Sequence, residues 1–501
     1  MRGKSLMVMG TASSVGKSVL CSAFLRILKQ DGLSVAPFKA QNMALNSFVT
    51  KAGLEMGRAQ VTQAQAAGLD PDVRMNPVLL KPTSDHRSQV IVNGKPIGTM
   101  SAVEYHEHKP RLRRMIRDIY DDLESGVDCV VIEGAGSPAE INLREGDIVN
   151  MSMAESADAP VILVGDINLG GVFASLLGTI MLLTDEERAR VKGIIINKFR
   201  GDVRLLEPGL RMLEERIHIP VIGVVPWTEV ELEDEDSVTE RFNRVSGTGD
   251  IDIAVVRLPH ISNFTDFQAL TLQEGVRVRY ASTPGEVENA DVIILPGTKN
   301  TIDDLAWLKA RRLDRAVLRH ADRGGLVLGV CGGYQMLGKK LCDPLHTESA
   351  LGEAEGLGLL DMEVTFHAEK HTTQSCGQVL PNACGWLGKA KDMLLDGYEI
   401  HAGDSAFGPD AHPWLTIKGQ ADGVTNTAGN VAGTYLHGLF DDGQLPRLLV
   451  EHLRSQRGQR AEERPVMTLE QFREREFDRL ADVVRASVDM EYVYKIIRGE
   501  V

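Results

Sequence analysis

Two residues in this 501-residue chain stand where a thiolate could attack a carbonyl. Cys331 lies in G-L-V-L-G-V-C-G-G-Y-Q-M-L-G, between an apolar strand-like run and a helical pattern. This reads as a nucleophile elbow with cysteine in place of serine: small neighbours permit the sharp turn that exposes the sulfur. The N-terminus of the following helix favours thiolate over thiol. The N–H of Gly332 is then placed to bind an oxyanion, with a second donor expected near Gly297, in the turn P-G-T-K-N-T after Leu295. His437, in A-G-T-Y-L-H-G-L-F, also follows a strand-like run beside glycine. It is the candidate base that takes the thiol proton and returns it to the leaving group. A lone cysteine usually packs as a small hydrophobe; the pair, in these two contexts, argues for chemistry.

A second constellation handles phosphate. G-T-A-S-S-V-G-K-S runs from Gly10 to Ser18, after a strand-like run and before a helical one. Glycines let backbone N–H groups turn toward phosphate oxygens, and the helix points its positive end at the same anion. Gly10, Thr11 and Gly16 shape the loop, Lys17 reaches the outer phosphates, and the Ser18 hydroxyl ligates Mg²⁺. Five residues rather than four separate Gly10 from Gly16, a longer loop that resembles the dethiobiotin synthetase branch of P-loop proteins. An acid at a neighbouring strand end should complete the metal site. Glu133 in C-V-V-I-E-G-A-G is placed for this, Asp166 in V-I-L-V-G-D is its rival, and either could instead cap a strand. Asn197 and Lys198, in I-I-I-N-K-F-R-G-D, resemble the base-reading element of nucleotide-binding relatives, or are an ordinary loop asparagine and surface lysine.

These groups need a scaffold. Short apolar runs at 6–9, 35–38, 129–132, 161–164, 194–196 and 221–225 are apolar throughout, as in strands buried on both faces of a parallel sheet. Helical spacing over Val19 to Leu28 supplies the element after the phosphate loop. Strand patterns resume at 253–256, 276–280, 292–295 and 326–330. The organisation expected is an α/β P-loop synthetase domain over 1–232, an acidic linker over 233–250, and a second α/β domain over 251–445. A helical tail over 446–501 is expected to pack on that second domain.

Bulk properties exclude several classes. The net charge of -15, with no basic stripe, argues against nucleic acid. Six cysteines without paired spacing read as reduced thiols of a cytoplasmic protein. The most apolar stretch, 159–183, is broken by Asp166, Asn168 and Gly170-Gly171, so no membrane span is expected. A homodimer is compatible with all of this. The pairs His106/His108 and His367/His371 invite a metal reading, but lie in segments that look solvated or loop-like.

The combination of a dethiobiotin-synthetase-like ATP domain and a Cys/His glutaminase domain resembles the cobyric acid synthase and cobyrinic acid a,c-diamide synthase group, over essentially the whole chain. K-A-Q-N-M-A-L-N-S, G-L-E-M-G-R-A-Q and M-N-P-V-L-L-K-P resemble the first of these, and G-Y-E-I-H (Gly397 to His401) is shared more widely in the group. D-I-N-L-G-G at Asp166 departs from the D-I-D-R-G-G usual in relatives. The resemblance implies a class I-like glutamine amidotransferase domain. It also implies ATP, Mg²⁺ and glutamine, no covalently bound cofactor, and four amidations of a corrinoid polycarboxylate at positions b, d, e and g. Gln41, Asn42, Ser47, Arg58, Gln60 and Lys81, in the family-like stretches, would then face the corrinoid carboxylates or simply hold loops together. Many glutamine amidotransferases carry an orienting Glu two residues past the histidine; position 439 is leucine, so another group must orient His437 or the site works as a dyad. Ammonia is largely protonated at neutral pH, so a sheltered route between the domains is expected. Two other readings stay open: an amidoligase with another acceptor, such as the a,c-carboxylates, and a P-loop switch ATPase with a non-catalytic second domain.

Overall fold

The computed structural model describes residues 4–84, 87–232, 246–247, 249–459 and 467–501. Most of the expected linker, 233–245 and 248, lies outside them. The chain divides into two compact units. The first takes residues up to Ala44, those from Glu55 to the linker, and Arg473–Val501. The second takes Leu45–Leu54 and the residues between the linker and Phe472.

The first unit is built on a six-stranded parallel sheet, in the order Val221–Pro226, Val191–Phe199, Val161–Asp166, Lys4–Gly10, Cys129–Glu133, Val35–Phe38. Alternate residues of the central strand serve opposite faces. Leu6 and Val8 pack with the helix Lys17–Gln30, while Met7 and Met9 join the core on the other side. This two-sided burial is why the strands read as unbroken apolar runs. Register places Glu133 opposite Val8 and Val164 opposite Gly10, so the carboxyl ends of three adjacent strands carry Gly10, Glu133 and Asp166. That edge is where open α/β sheets bind ligands. A further four-stranded sheet, Gln41–Met43 beside Val78–Ser84, Arg87–Val92 and Lys95–Ser101, goes beyond the sequence-based expectation.

The second unit carries a larger mixed sheet. Val276–Ala281, Ile251–Val256, Val292–Leu295, Leu326–Val330 and Val431–Thr434 run parallel, and the sheet continues antiparallel through Gln420–Thr425 and His412–Ile417 to Met362–Val379. Leu394–Phe407 pairs along Met362–Val379.

The tail differs from its expected place. Gln444–Gln456 does pack in the second unit, through Leu445, Leu449, Val450 and Leu453. The last two helices, Leu469–Ser487 and Met490–Arg498, place Phe477, Leu480, Val484, Val493 and Ile496 against Leu20, Phe24 and Ile27 in the core of the first unit. An amphipathic pattern says that one helix face is buried, not which surface covers it. No helix among the described residues is long and apolar enough to cross a membrane.

Candidate active sites

Cys331 joins the strand Leu326–Val330 to the helix Gly332–Leu337 with φ 50° and ψ −109°, a conformation rare for a residue with a side chain. The turn is possible because its neighbours are glycine. A Cβ on Gly333 would lie 2.0 Å from the Leu295 carbonyl oxygen, and one on Gly332 would lie 2.7 Å from Thr298 Cγ2. The elbow is thereby seated against the turn that carries Gly297, whose own Cβ position is 3.2 Å from His437 Cε1. The two expected oxyanion donors, Gly297 and Gly332, thus flank the same pair of side chains.

His437 and Cys331 are both buried, and the thiol is among the groups that favour the protonated imidazole. The histidine is held at its backbone by Tyr398: His437 N–H donates to Tyr398 O at 2.9 Å and Tyr398 N–H donates to His437 O at 3.2 Å. The Tyr398 ring stacks on the imidazole, 5.1 Å between centroids. Cys331 Sγ–H donates to the Ile400 carbonyl at 3.6 Å. The stretch G-Y-E-I-H therefore positions both members of the pair.

The orienting acid is Asp266. Its Oδ2 lies 2.7 Å from His437 Nδ1, on the short 3-10 turn Phe264–Phe267, whose two phenylalanines are buried. Burial alone would strip the proton from His437. The charge and hydrogen bond of Asp266, with that of Cys331, outweigh it and raise the imidazole from 6.5 to about 10. Sequence reasoning did not find Asp266. Its one local trace is an acid bracketed by aromatic residues, S-N-F-T-D-F, and its partner is 171 positions away.

In the first unit, the phosphate loop follows the central strand. Gly16 has φ +100°, and a Cβ there would meet Asn197 Nδ2 at 2.1 Å. One on Gly10 would meet Val15 Cγ2 at 2.4 Å. Thr11 N–H donates to Val164 O at 3.0 Å. Lys17 curls over the loop, with Nζ donating to Ala12 O at 2.9 Å and Gly136 O at 3.2 Å. Ser18 Oγ donates to Glu133 Oε1 at 2.8 Å. Lys39 Nζ reaches the same Glu133 oxygen at 2.9 Å, and Gln63 donates to the other. Lys39 and Gln63 are two further polar groups at this carboxylate that sequence reasoning passed over. Asp166 is engaged otherwise: its Oδ2 accepts from Lys198 Nζ at 2.8 Å and its Oδ1 from the Asn168 N–H at 2.8 Å. Asn197 Nδ2 donates to Val15 O at 2.8 Å and Lys198 Nζ to Ser14 O at 2.6 Å, so this pair braces the loop.

The residues expected at the corrinoid part company. Gln41 accepts from Tyr105 OH at 2.5 Å, and Asn42 donates to Gln60 at 3.0 Å. Lys81 forms a buried ion pair with Glu55 at 2.8 Å, and Arg58 is buried at the start of Arg58–Ala67. Ser47 belongs to the second unit. Its N–H donates to Asn263 Oδ1 at 3.2 Å and its carbonyl accepts from Tyr398 OH at 3.3 Å. Asn263 Nδ2 is itself 3.5 Å from both ring nitrogens of His437, so Ser47 lies behind the thiol site.

Comparison with known proteins follows the same division. Residues 6–238 match the CobQ/CobB/MinD/ParA nucleotide binding domain, and residues 252–445 the CobB/CobQ-like glutamine amidotransferase domain. The cobyric acid synthase of Alkaliphilus metalliredigens is 54% identical, covering 99% of this chain and 100% of that one. That of Thermoanaerobacter sp. is 51% identical, over 98% of each. Among solved structures, PurLQS from Thermotoga maritima aligns over 41% of this chain and 99% of its own, at 19% identity and a TM-score of 0.33.

Proposed function

Because the chain belongs to the cobyric acid synthase family, we propose that it amidates the b, d, e and g carboxylates of adenosylcobyrinic acid a,c-diamide, taking ammonia from glutamine and spending ATP on each. It is an ATP-dependent carbon–nitrogen ligase of cobalamin biosynthesis with glutamine as nitrogen donor. What carries the reading of the sites is that one chain holds both a Ser18–Glu133 pair beneath a glycine-shaped phosphate loop and a Cys331–His437–Asp266 triad. A switch ATPase with an inert second domain has no use for the triad.

In the second unit, the Cys331 thiolate attacks the side-chain amide carbon of glutamine. The N–H groups of Gly332 and Gly297 hold the oxyanion, and His437 gives its proton to departing ammonia. His437, kept oriented by Asp266, then takes a proton from the water that opens the thioester and releases glutamate. In the first unit, a carboxylate is a poor acyl donor because its leaving group would be oxide. Transfer of the γ-phosphoryl group of ATP makes an acyl phosphate, which ammonia attacks to leave phosphate and an amide. Lys17 and the loop N–H groups bind the phosphates. The oxygen donors present, Ser18 Oγ and Glu133, suit Mg²⁺, which when bound would offset charge on the transferring group. Asp166, tied to Lys198 and Asn168 in a loop of altered sequence, acts on the shape of this edge rather than as the main ligand.

The test is mass spectrometry of products from a panel of corrinoid acids with ATP and glutamine. Four amides added to the a,c-diamide are expected, and no change in any corrinoid would sink the reading. Cys331→Ala should form the same amides from ammonium salts alone. Glu133→Gln should form none from either nitrogen source while still hydrolysing glutamine. Loss of both activities in a folded Cys331→Ala protein would overturn the two-site scheme.

A further inference from the structure

The antiparallel pairing of Met362–Val379 with Leu394–Phe407 sets His371 directly opposite His401. Residues two apart on a strand share a face, so Glu399 joins them. The ligand atoms of all three lie within 4.8 Å of one another. Glu399 Oε2 is 3.8 Å from His371 Nε2, and Glu399 Oε1 is 3.7 Å from His401 Nε2. These are too long for hydrogen bonds. They approach the ~3.3 Å between two ligands of one tetrahedral ion with bonds of about 2 Å. His367, which the sequence suggested as partner of His371, pairs instead with Asp404 at 3.2 Å.

Two further observations set this apart from a chance surface cluster. The His401 side chain is only 8% exposed, and its Nδ1–H donates to the Gly403 carbonyl at 2.8 Å. In the neutral ring this leaves the lone pair on Nε2. That Nε2 is buried without a hydrogen-bond partner, and it faces Glu399 and His371. Metal-ligating histidines are braced in this way, with the other ring nitrogen on a carbonyl. Glu399 is braced too, accepting from Ser375 Oγ at 2.5 Å. His371 is half-exposed, which leaves one side open for water as a fourth ligand.

We propose that His371, Glu399 and His401 bind a divalent transition-metal ion of the Zn²⁺ class. Two imidazoles and one carboxylate suit such an ion, whereas the oxygen donors of the phosphate loop suit Mg²⁺. The ion ties the two strands together. The peptide carbonyl between two of its ligands, that of Ile400, is the one that accepts from Cys331. Metal occupancy therefore stiffens the strand on which the nucleophile leans.

The experiment titrates the full chain, stripped with a chelator, with Zn²⁺ alone by calorimetry and with Co²⁺ by visible absorption. Wild type and Cys331→Ser should each bind one equivalent, and Co²⁺ should show no thiolate charge-transfer band. His371→Ala, at an exposed position, and Glu399→Gln, checked for unchanged circular dichroism, should weaken binding by about 100-fold or more. Absence of one-to-one binding by wild type, full binding by His371→Ala, or loss of binding in Cys331→Ser each overturns the proposal. A raised KM for glutamine in His371→Ala with Zn²⁺ binding intact would assign the cluster to recognition of the amino acid instead.

Discussion

Asp266 decides where the proton on His437 resides. Burial favours the neutral ring, and the carboxylate 2.7 Å from Nδ1 reverses that preference. In the proposed mechanism that imidazolium is the acid that protonates the departing ammonia. In Asp266→Asn the charge is removed while the burial remains. The proton then leaves His437 at lower pH, so the alkaline limb of glutamine hydrolysis should move down from near pH 10 toward neutrality. An asparagine can also favour the wrong tautomer, and kcat for glutamine should fall by roughly 10²–10⁴. Ammonia-dependent amidation should be untouched. Linkage has the same sign: a pKa raised in the fold stabilises fully below the ordinary value of 6.5 and ceases to as pH passes about 10. Pairs of wild-type and Asp266→Asn thermal unfolding curves should therefore differ most at acid and neutral pH and converge at high pH. Superimposable pH–rate profiles would remove Asp266 from the triad.

At the scale of elements, the glutaminase depends on the meeting of an elbow with a backbone bridge. Gly397 is where the strand Leu394–Phe407 approaches the bridge, and a Cβ there would lie 2.1 Å from the His437 carbonyl oxygen. Gly397→Ala must push the His437 main chain away from Tyr398 and so tilt the imidazole off Asp266. Misplacement of about 1 Å costs on the order of 10²-fold in rate. We expect that loss in steady-state glutamine hydrolysis, with ammonia-dependent synthesis retained; an unaltered kcat would mean that the bridge does not set the ring. The elbow was legible because glycine crowding and an apolar strand are local patterns. The parallel strands were legible because burial on both faces leaves an unbroken apolar run, as in Val161–Asp166. Met362–Val379 was not. Its pairing shifts register between Phe366 and His371, which breaks the two-residue alternation where T-F-H-A-E-K-H-T-T reads as a loop or a strand end. Asp266 was hidden for another reason: nothing local joins an acid to a histidine 171 residues on.

For the whole molecule, order in the sequence does not follow membership of the units. The last residues complete the unit that begins the chain. Phe477, Leu480, Ala481, Val484, Val488, Val493, Ile496 and Ile497 are buried against the helix Lys17–Gln30 and its neighbours. Arg26, itself buried, anchors the same helix through Glu474 at 2.9 Å and Asp478 at 2.7 Å. At about 1.5–3 kcal/mol for each large side chain, this burial amounts to on the order of 10 kcal/mol, as much as a domain's whole stability. Removing residues 473–501 should therefore unfold the phosphate-loop unit, although the cut lies more than 400 positions from Lys17. Hydrogen exchange of Met7 to Met9, at the centre of the parallel sheet, reports this directly. Those amides should exchange slowly in the intact chain and rapidly in the truncated one, with ATP-dependent amidation lost. Protection that survives truncation would show that the sheet and the helix Lys17–Gln30 hold without their C-terminal cover.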